Sequence, residues 1–195
     1  GQTGAGKTYT MIGGNTNIIS PSDESSGLLG RSLSYLFSRL KDEDFSLRVS
    51  CYEIYHESVY DLLRTGTKLP GKKETLSVRE DKNGHFSVPD LTECECQSVK
   101  TAFKTITAAM KSRQIGSHDL NSRSNRSHCV VEVILDIRAG GGSTSKGNTK
   151  RGKLTLVDLA GSERLKSTNS KGKVLQETGF INKSLYTLGK VIAGL

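Results

Sequence analysis

The chain has four cysteines, Cys51, Cys94, Cys96 and Cys129, and no two of them are spaced C-x-x-C. The single C-x-C lacks a second ligand pair, which argues against zinc. Cys51 and Cys129 fall in apolar runs that read as strands, so they are expected as buried thiols in a reducing, cytosolic setting. No apolar run approaches the roughly 20 residues that span a bilayer. No secretory signal opens the chain, and no membrane insertion is expected. Aromatic residues are missing among the lysines of "RLKSTNSKGKV" (164–174), so nucleic acid has no stacking platform there and is not the expected partner. Apolar content is 34%, low for an intact globular domain. The first residue is Gly and falls inside a motif, so the chain reads as a piece of a larger domain, although 195 residues suffice for one core.

Charge is present but unevenly placed. Residues 1–139 hold 18 Lys/Arg against 17 Asp/Glu, whereas residues 140–195 hold 10 against 3. Nearly all of the net +8 therefore lies in the last part of the chain. Such asymmetry fits either an anionic partner on that side or a plain solvated surface.

Periodicity places the elements. "GLLGRSLSYLFSRL" (27–40) carries Leu29, Leu33, Leu36, Phe37 and Leu40 at helical spacing. "FSLRVSCYEIY" (45–55) alternates and is rich in β-formers, so a strand is expected; "SVYDLL" continues it or turns from it. Residues 76–88 read as two short strands around the turn "DKNG", and 98–110 as a helix with Val99, Ala102, Phe103, Ile106 and Met110 on one face. "CVVEVILDI" (129–137) and "KLTLVDLA" (153–160) are expected as an antiparallel pair joined by the connector "RAGGGSTSKGNTKRG". The Lys-rich part of that connector, 146–153, reads as variable loop. The tail 177–195 has helical spacing at Ile181, Leu185, Leu188 and Ile192. Strands and helices behind a Gly-rich loop indicate α/β layers.

Three motifs carry chemistry. "GQTGAGKT" (1–8) matches G-x-x-x-x-G-K-[ST] without a mismatch. Its glycines let successive backbone N–H groups face phosphate oxygens, Lys7 reaches the β- and γ-phosphates, and Thr8 offers a hydroxyl to Mg²⁺. A helix is expected to begin near Lys7. "LTLVDLAGSER" (154–164) ends an apolar strand on Asp158, suited to order a Mg²⁺-bound water, with the Gly161 N–H suited to a γ-phosphate. D-x-x-G alone is also a common strand-ending turn; behind a phosphate loop it reads as a γ-phosphate sensor. "NSRSNRSH" (121–128) is polar throughout. It is either a plain loop or the other switch, with hydroxyls for Mg²⁺ or the attacking water and an Arg to pair with Glu163.

"GQTGAGKTYTM", "NSRSNRSH" and "DLAGSER" together resemble the phosphate loop, switch I and switch II of the kinesin motor domain. The resemblance extends over 50–63, 76–93 and 181–195, in the family's order, and so covers almost the whole of residues 1–195. Myosins share the phosphate loop and an Asn-to-Ser-Arg switch I, but their second switch differs. G proteins need N-K-x-D, whereas Asn182-Lys183 is followed here by Ser184-Leu185. The resemblance implies a P-loop motor core with a central mixed β-sheet and helices on both faces, cut at both ends. It implies an ATPase that uses ATP and Mg²⁺, works on microtubules in the cytoplasmic cytoskeleton, and dimerises, if at all, through a stalk outside this segment. Gly1, Gln2, Thr3, Gly4, Ala5, Gly6, Lys7 and Thr8 would cradle the phosphates, and Tyr9 would stack on adenine or else pack within its helix. Ser124 would handle the nucleophilic water, Asn125 the Mg²⁺, and Arg126 would close on Glu163, which also relays a proton. Ser127 and His128 complete the motif, with His128 equally suited to packing. Lys166, Lys171, Lys173 and Lys183 would face the acidic tubulin surface.

The chain departs from the family pattern at three positions. Asn125 stands where the second switch I serine binds Mg²⁺; an amide oxygen can coordinate a hard cation but is longer and cannot ionise. This keeps open a second reading, a microtubule-binding module with weak hydrolysis. His118 stands for a usual Thr, and Gly30 for a common Pro, the latter expected to be without consequence. With strands missing at the front, the piece alone is expected neither to fold stably nor to move.

Overall fold

The computed structural model describes residues 2, 4–14, 26–64, 74–115, 126–138, 149–162 and 173–194. Among these, helix α1 (Lys7–Ile12) follows the phosphate loop and α2 (Leu28–Arg39) follows in turn. Strands β1 (Phe45–Tyr55) and β2 (Ser58–Asp61) form a tight hairpin. Short strands β3 (Thr75–Leu76), β4 (Arg79–Glu80), β5 (Phe86–Ser87) and β6 (Cys94–Glu95) lead to helix α3 (Val99–Ile115). The long strands β7 (His128–Arg138) and β8 (Thr149–Asp158) precede helix α4 (Lys173–Ala193).

The main sheet runs β3-β2-β1-β7-β8, with β6 on the free part of the β1 edge. Every pairing among the described strands is antiparallel. The expected hairpin of β7 and β8 is present, and β4–β5 closes around Asp81, whose carboxylate accepts the N–H groups of Asn83 and His85. The connector is shorter than its composition implies. Thr149–Gly152 is already strand, paired with Leu135–Arg138, and the Arg151 guanidinium donates to Asp136 directly across the ladder. A cross-strand ion pair thus extends β8 into sequence that reads as loop.

Alternation divides the sheet into two unlike faces. Leu47, Val49, Cys51, Cys129, Val131, Val133 and Leu156 point to one side and pack with Leu29 and Leu33 of α2 and Ala102, Phe103, Ile106 and Met110 of α3. Both predicted helical stripes are therefore core. Burial pushes the thiol of Cys51 well up and that of Cys129 to about 12, so both stay protonated. The opposite face is charged: Arg48 pairs with Glu93 and Asp136, Lys153 with Glu132, and Tyr52 donates to Glu132. Helix α4 meets this side of the sheet at its end. It begins earlier than its apolar spacing suggests, at Lys173, and its Ile192 is 64% exposed.

Local chemistry explains the junctions. Ser98 caps α3: its hydroxyl accepts the Thr101 N–H while the Thr101 hydroxyl accepts the Ser98 N–H, a reciprocal box. Gly30 is buried in α2, where a Cβ would stand 3.0 Å from Phe103, so this position does matter to α2–α3 packing. Gly27 is tighter still, since a Cβ would lie 2.5–2.6 Å from backbone atoms of Ile12 and Gly13. That contact seats the start of α2 on the end of α1. Gly27→Ala should therefore lower stability by about 3 kcal/mol or more, beyond the usual overpacking range because backbone cannot swing aside. Thermal unfolding of the intact protein checks this, and an unchanged Tm contradicts it.

Candidate functional site

The phosphate loop is shaped by two left-handed glycines, Gly4 (φ 80°) and Gly6 (φ 82°). A side chain has open space at either position, so the constraint is the backbone conformation itself. Helix α1 then begins at Lys7 as the motif predicts. The Lys7 ammonium lies across the loop and donates to the Gln2 carbonyl at 2.8 Å. Ala5 lines, with Lys7, Thr10, Met11, Val157, Asp158 and Leu159, a cavity of about 330 Å³ between α1 and the end of β8. Tyr9 is 58% exposed, its ring close against Gly14, where a Cβ would stand 2.9 Å from it.

The structure joins two of the sequence motifs directly. Thr8 Oγ1 donates to Asp158 Oδ2 at 2.8 Å, bringing the phosphate loop and the end of β8 together. The same carboxylate oxygen accepts from Arg113 Nη1 at 3.1 Å. Arg113 Nη2 also donates to the carbonyl and the hydroxyl of Ser127, at 3.0 and 3.2 Å, and Arg113 Nε lies 3.6 Å from Glu53 Oε1. Ser127 in turn donates to Glu53 Oε1 at 2.6 Å. Glu53 is 0% exposed, and Arg113, Ser127 and Asp158 are buried with it. A buried charge cluster thus holds Asp158 from behind. Asp158 Oδ1 is buried and has no hydrogen-bond partner among the described residues. A buried carboxylate oxygen in that position needs a donor, and a water held on a hard cation would supply one.

Neighbouring residues of the polar motif 121–128 diverge. Ser127 belongs to the Arg113 side, whereas His128 projects to the other side of the sheet. His128 Nδ1 accepts the Ala160 N–H at 3.1 Å, and its Nε2 lies 2.7 Å from Ser184 Oγ in α4. Burial, followed by the Arg113 charge, lowers the His128 pKa below its ordinary value, while Asp158 opposes the shift. Since Nδ1 accepts, the neutral ring carries its proton on Nε2.

The predicted residues divide accordingly. Gln2, Gly4, Ala5, Gly6, Lys7, Thr8 and Tyr9 lie together along the loop and α1, and Asp158 joins them through Thr8; Gly161 is buried in the stretch that follows β8. Arg126 is half-buried just before β7. Gly1, Thr3, Ser124, Asn125, Glu163, Lys166 and Lys171 lie outside the described residues, as do His118 and hence the expected Arg126–Glu163 bridge. Lys173 begins α4, and Lys183, on the same helix, pairs with Glu57 at 2.6 Å. Sequence reading passed over Glu53, Arg113 and Ser184. The first two carried a signal: Glu53 continues the inward alternation of Leu47, Val49 and Cys51, and Arg113 continues the stripe Phe103, Ile106, Met110. A charged residue on an apolar face implies a buried partner.

A family model described as the kinesin motor domain matches residues 1–195. The chain belongs to the kinesin motor-domain family. It is 43% identical over 199 residues to human centromere-associated protein E, covering 100% of this chain and 7% of that protein. It is 38% identical over 201 residues to Arabidopsis thaliana kinesin-like protein KIN-12D, covering 98% of this chain and 7% of that protein. Its kinesin fold also matches solved structures. A fast kinesin superposes with TM-score 0.79 at 34% identity, and a KIF14 dimer bound to AMP-PNP in complex with a microtubule superposes with TM-score 0.81 at 32% identity. Each match covers 100% of this chain, and the chain spans 52% and 53% of those solved chains.

Two expectations follow for this kinesin segment. Arg113→Met in the intact protein should cost about 3–5 kcal/mol in urea unfolding, because two acidic groups lose their buried partner. Adding Glu53→Gln should recover part of that loss; equal losses in both variants would contradict the cluster. Second, ¹⁵N NMR should show His128 at pH 7 protonated on Nε2 alone and titrating below the ordinary 6.5. Because the unfolded chain then binds the proton more readily, this residue's effect is to lower stability as pH falls through that range. A proton on Nδ1 would contradict the assignment.

Proposed function

We propose that this chain is the nucleotide-handling core of a microtubule motor that couples ATP hydrolysis to microtubule binding. The observation that carries the reading is the Thr8–Asp158 hydrogen bond with Arg113 behind it. It sets a hydroxyl and a carboxylate side by side at the foot of a phosphate loop, the donor set that hard Mg²⁺ takes. When bound, Mg²⁺ neutralises developing charge on the β- and γ-phosphate oxygens. Lys7 would leave the Gln2 carbonyl for the phosphates, and the N–H groups of residues 4–8 would line their other side. Thr8 would hold the metal, and Asp158 would order a water on it, with Asn125 completing the metal shell. Gly161 would donate its N–H to the γ-phosphate, Ser124 would orient the attacking water, and Arg126 with Glu163 would close the site and relay its proton. Tyr9, exposed in the first turn of α1, would suit an adenine ring.

Lys166, Lys171 and Lys173 are the proposed microtubule contacts, favoured by the positive excess of this end of the chain and the acidity of tubulin. Lys183 is proposed to contribute less, since its ammonium already pairs with Glu57. Binding through these lysines should weaken as salt shortens the screening length. A microtubule-binding module with slow hydrolysis is the second reading, and Asn125 is the residue that favours it.

Steady-state ATPase of the intact protein, with and without microtubules, separates the two. Strong stimulation supports the motor, and a rate that microtubules leave flat supports the binding module. Under the motor reading, Asn125→Ser should preserve or raise stimulated turnover, since a serine hydroxyl restores the shorter ligand. A clear fall in turnover would contradict the metal assignment of residue 125.

A further inference from the structure

Helices α2 and α3 both pack on the core face of the sheet, and each turns its opposite stripe to solvent. Neither helix carries an acidic residue: α2 reads LLGRSLSYLFSR and α3 reads VKTAFKTITAAMKSRQI. The outward stripe of α3 is Lys100, Lys104 and Lys111, all exposed and spaced to lie opposite Ala102, Ile106 and Met110. At 1.5 Å of rise per residue it runs roughly 16 Å. The outward stripe of α2 is Leu28, Arg31, Tyr35 and Arg39, at steps of three and four. All four are exposed, Tyr35 to 65% and Leu28 to 48%. The two helices touch at Gly30 and Phe103, and the next residue on each, Arg31 and Lys104, faces solvent. Among the described residues, none of Arg39, Lys100, Lys104 and Lys111 is in an ion pair. Arg31 Nε donates to the Ser26 carbonyl at 3.0 Å, which orients its guanidinium. The acidic residues nearest in sequence, Glu24, Asp42, Glu95 and Asp119, all lie outside the two helices.

We propose that the outer face of α2 and α3 is a docking surface for an acidic polypeptide segment of a partner protein. Its carboxylates sit on the Arg and Lys side chains, and an apolar residue between them packs on Tyr35 and Leu28. Charge decides among the occupants. A second copy of this chain is the wrong sign, since two such faces would set five cations against five. A membrane surface gains little, because only two exposed apolar side chains are there to bury. Nucleic acid finds one aromatic ring and so a single stacking platform. An acidic peptide uses every part of the face. The planar guanidinium groups take carboxylates at two points, and an exposed tyrosine is a rigid anchor for an apolar neighbour. Helix α4 meets the other side of the sheet. Docking on α2 and α3 therefore needs neither the nucleotide site nor a microtubule, and leaves α4 open to its own contacts.

Fluorescence anisotropy on the intact protein tests the surface, with a fluorescein-labelled poly-glutamate peptide interrupted by leucine as the probe. Binding should saturate and should weaken as salt is added. Arg31→Gln and Lys104→Gln should each lower the affinity about threefold, the range of one exposed charge pair, and both together with Lys100→Gln about thirtyfold. Tyr35→Ala should lower it about fivefold with the salt dependence kept, since no charge is removed. Lys190→Gln takes the same charge from an exposed position on α4 and should leave the affinity unchanged. All of these side chains are exposed, so thermal unfolding should be the same in every variant. Saturating microtubules should leave the peptide bound. Binding that never saturates overturns the proposal, as does an equal loss in Lys104→Gln and Lys190→Gln, which would show attraction to net charge alone. Tighter binding of phosphatidylserine vesicles or of single-stranded oligo-dT through Arg31 and Lys104 overturns the assignment to an acidic polypeptide. Displacement of the peptide by microtubules overturns it too, by giving this face to the microtubule.

Discussion

Everything at this site depends on keeping one carboxylate, Asp158, buried and correctly aimed. Thr8 takes it from the phosphate-loop side and Arg113 from the α3 side, both on the same oxygen. Arg113 is itself oriented by Ser127 and Glu53. Such a cluster adds little net stability, because desolvating several charges offsets most of their attraction. Its contribution is a single geometry. The phosphate loop, the first strand, helix α3, switch I and switch II each place one member, so the elements cannot shift independently without leaving a charge unpaired.

The sheet makes this arrangement possible by sorting side chains in alternation. Along β1 and β8, Glu53 and Asp158 continue the apolar face and meet Arg113 there. One residue of switch I, Ser127, joins that face, and the next, His128, is directed to the other. A slip of one residue in the β7–β8 register would exchange the two faces and separate Asp158 from its partners. The cross-strand pairs Arg151–Asp136 and Lys153–Glu132 oppose such a slip from the charged face.

Much of the fold was legible because its signals are local and periodic. The α2 and α3 stripes, the β1 and β7 alternation and the loop–helix transition at Lys7 all follow from spacing within a few residues. The start of β8 was not legible, since Thr149–Gly152 has loop composition and becomes strand only through partners on β7. The candidate site was legible where a motif is contiguous, as for Lys7, Thr8, Asp158 and Gly161. Glu53 and Arg113 were hidden for a different reason. They sit inside apolar patterns, and their partners are 74 and 45 residues away in sequence, at Ser127 and Asp158. Ser184 gave no local signal, because its partner His128 lies 56 residues before it.

A crystal structure of the intact protein with Mg²⁺ and AMP-PNP tests the central claim most directly. The account predicts Thr8 Oγ1 on the metal, Asp158 Oδ1 on a metal-bound water, and Arg113 still on Asp158 Oδ2. A metal bound away from Thr8, or an Asp158 turned off Arg113 when nucleotide is present, would contradict it.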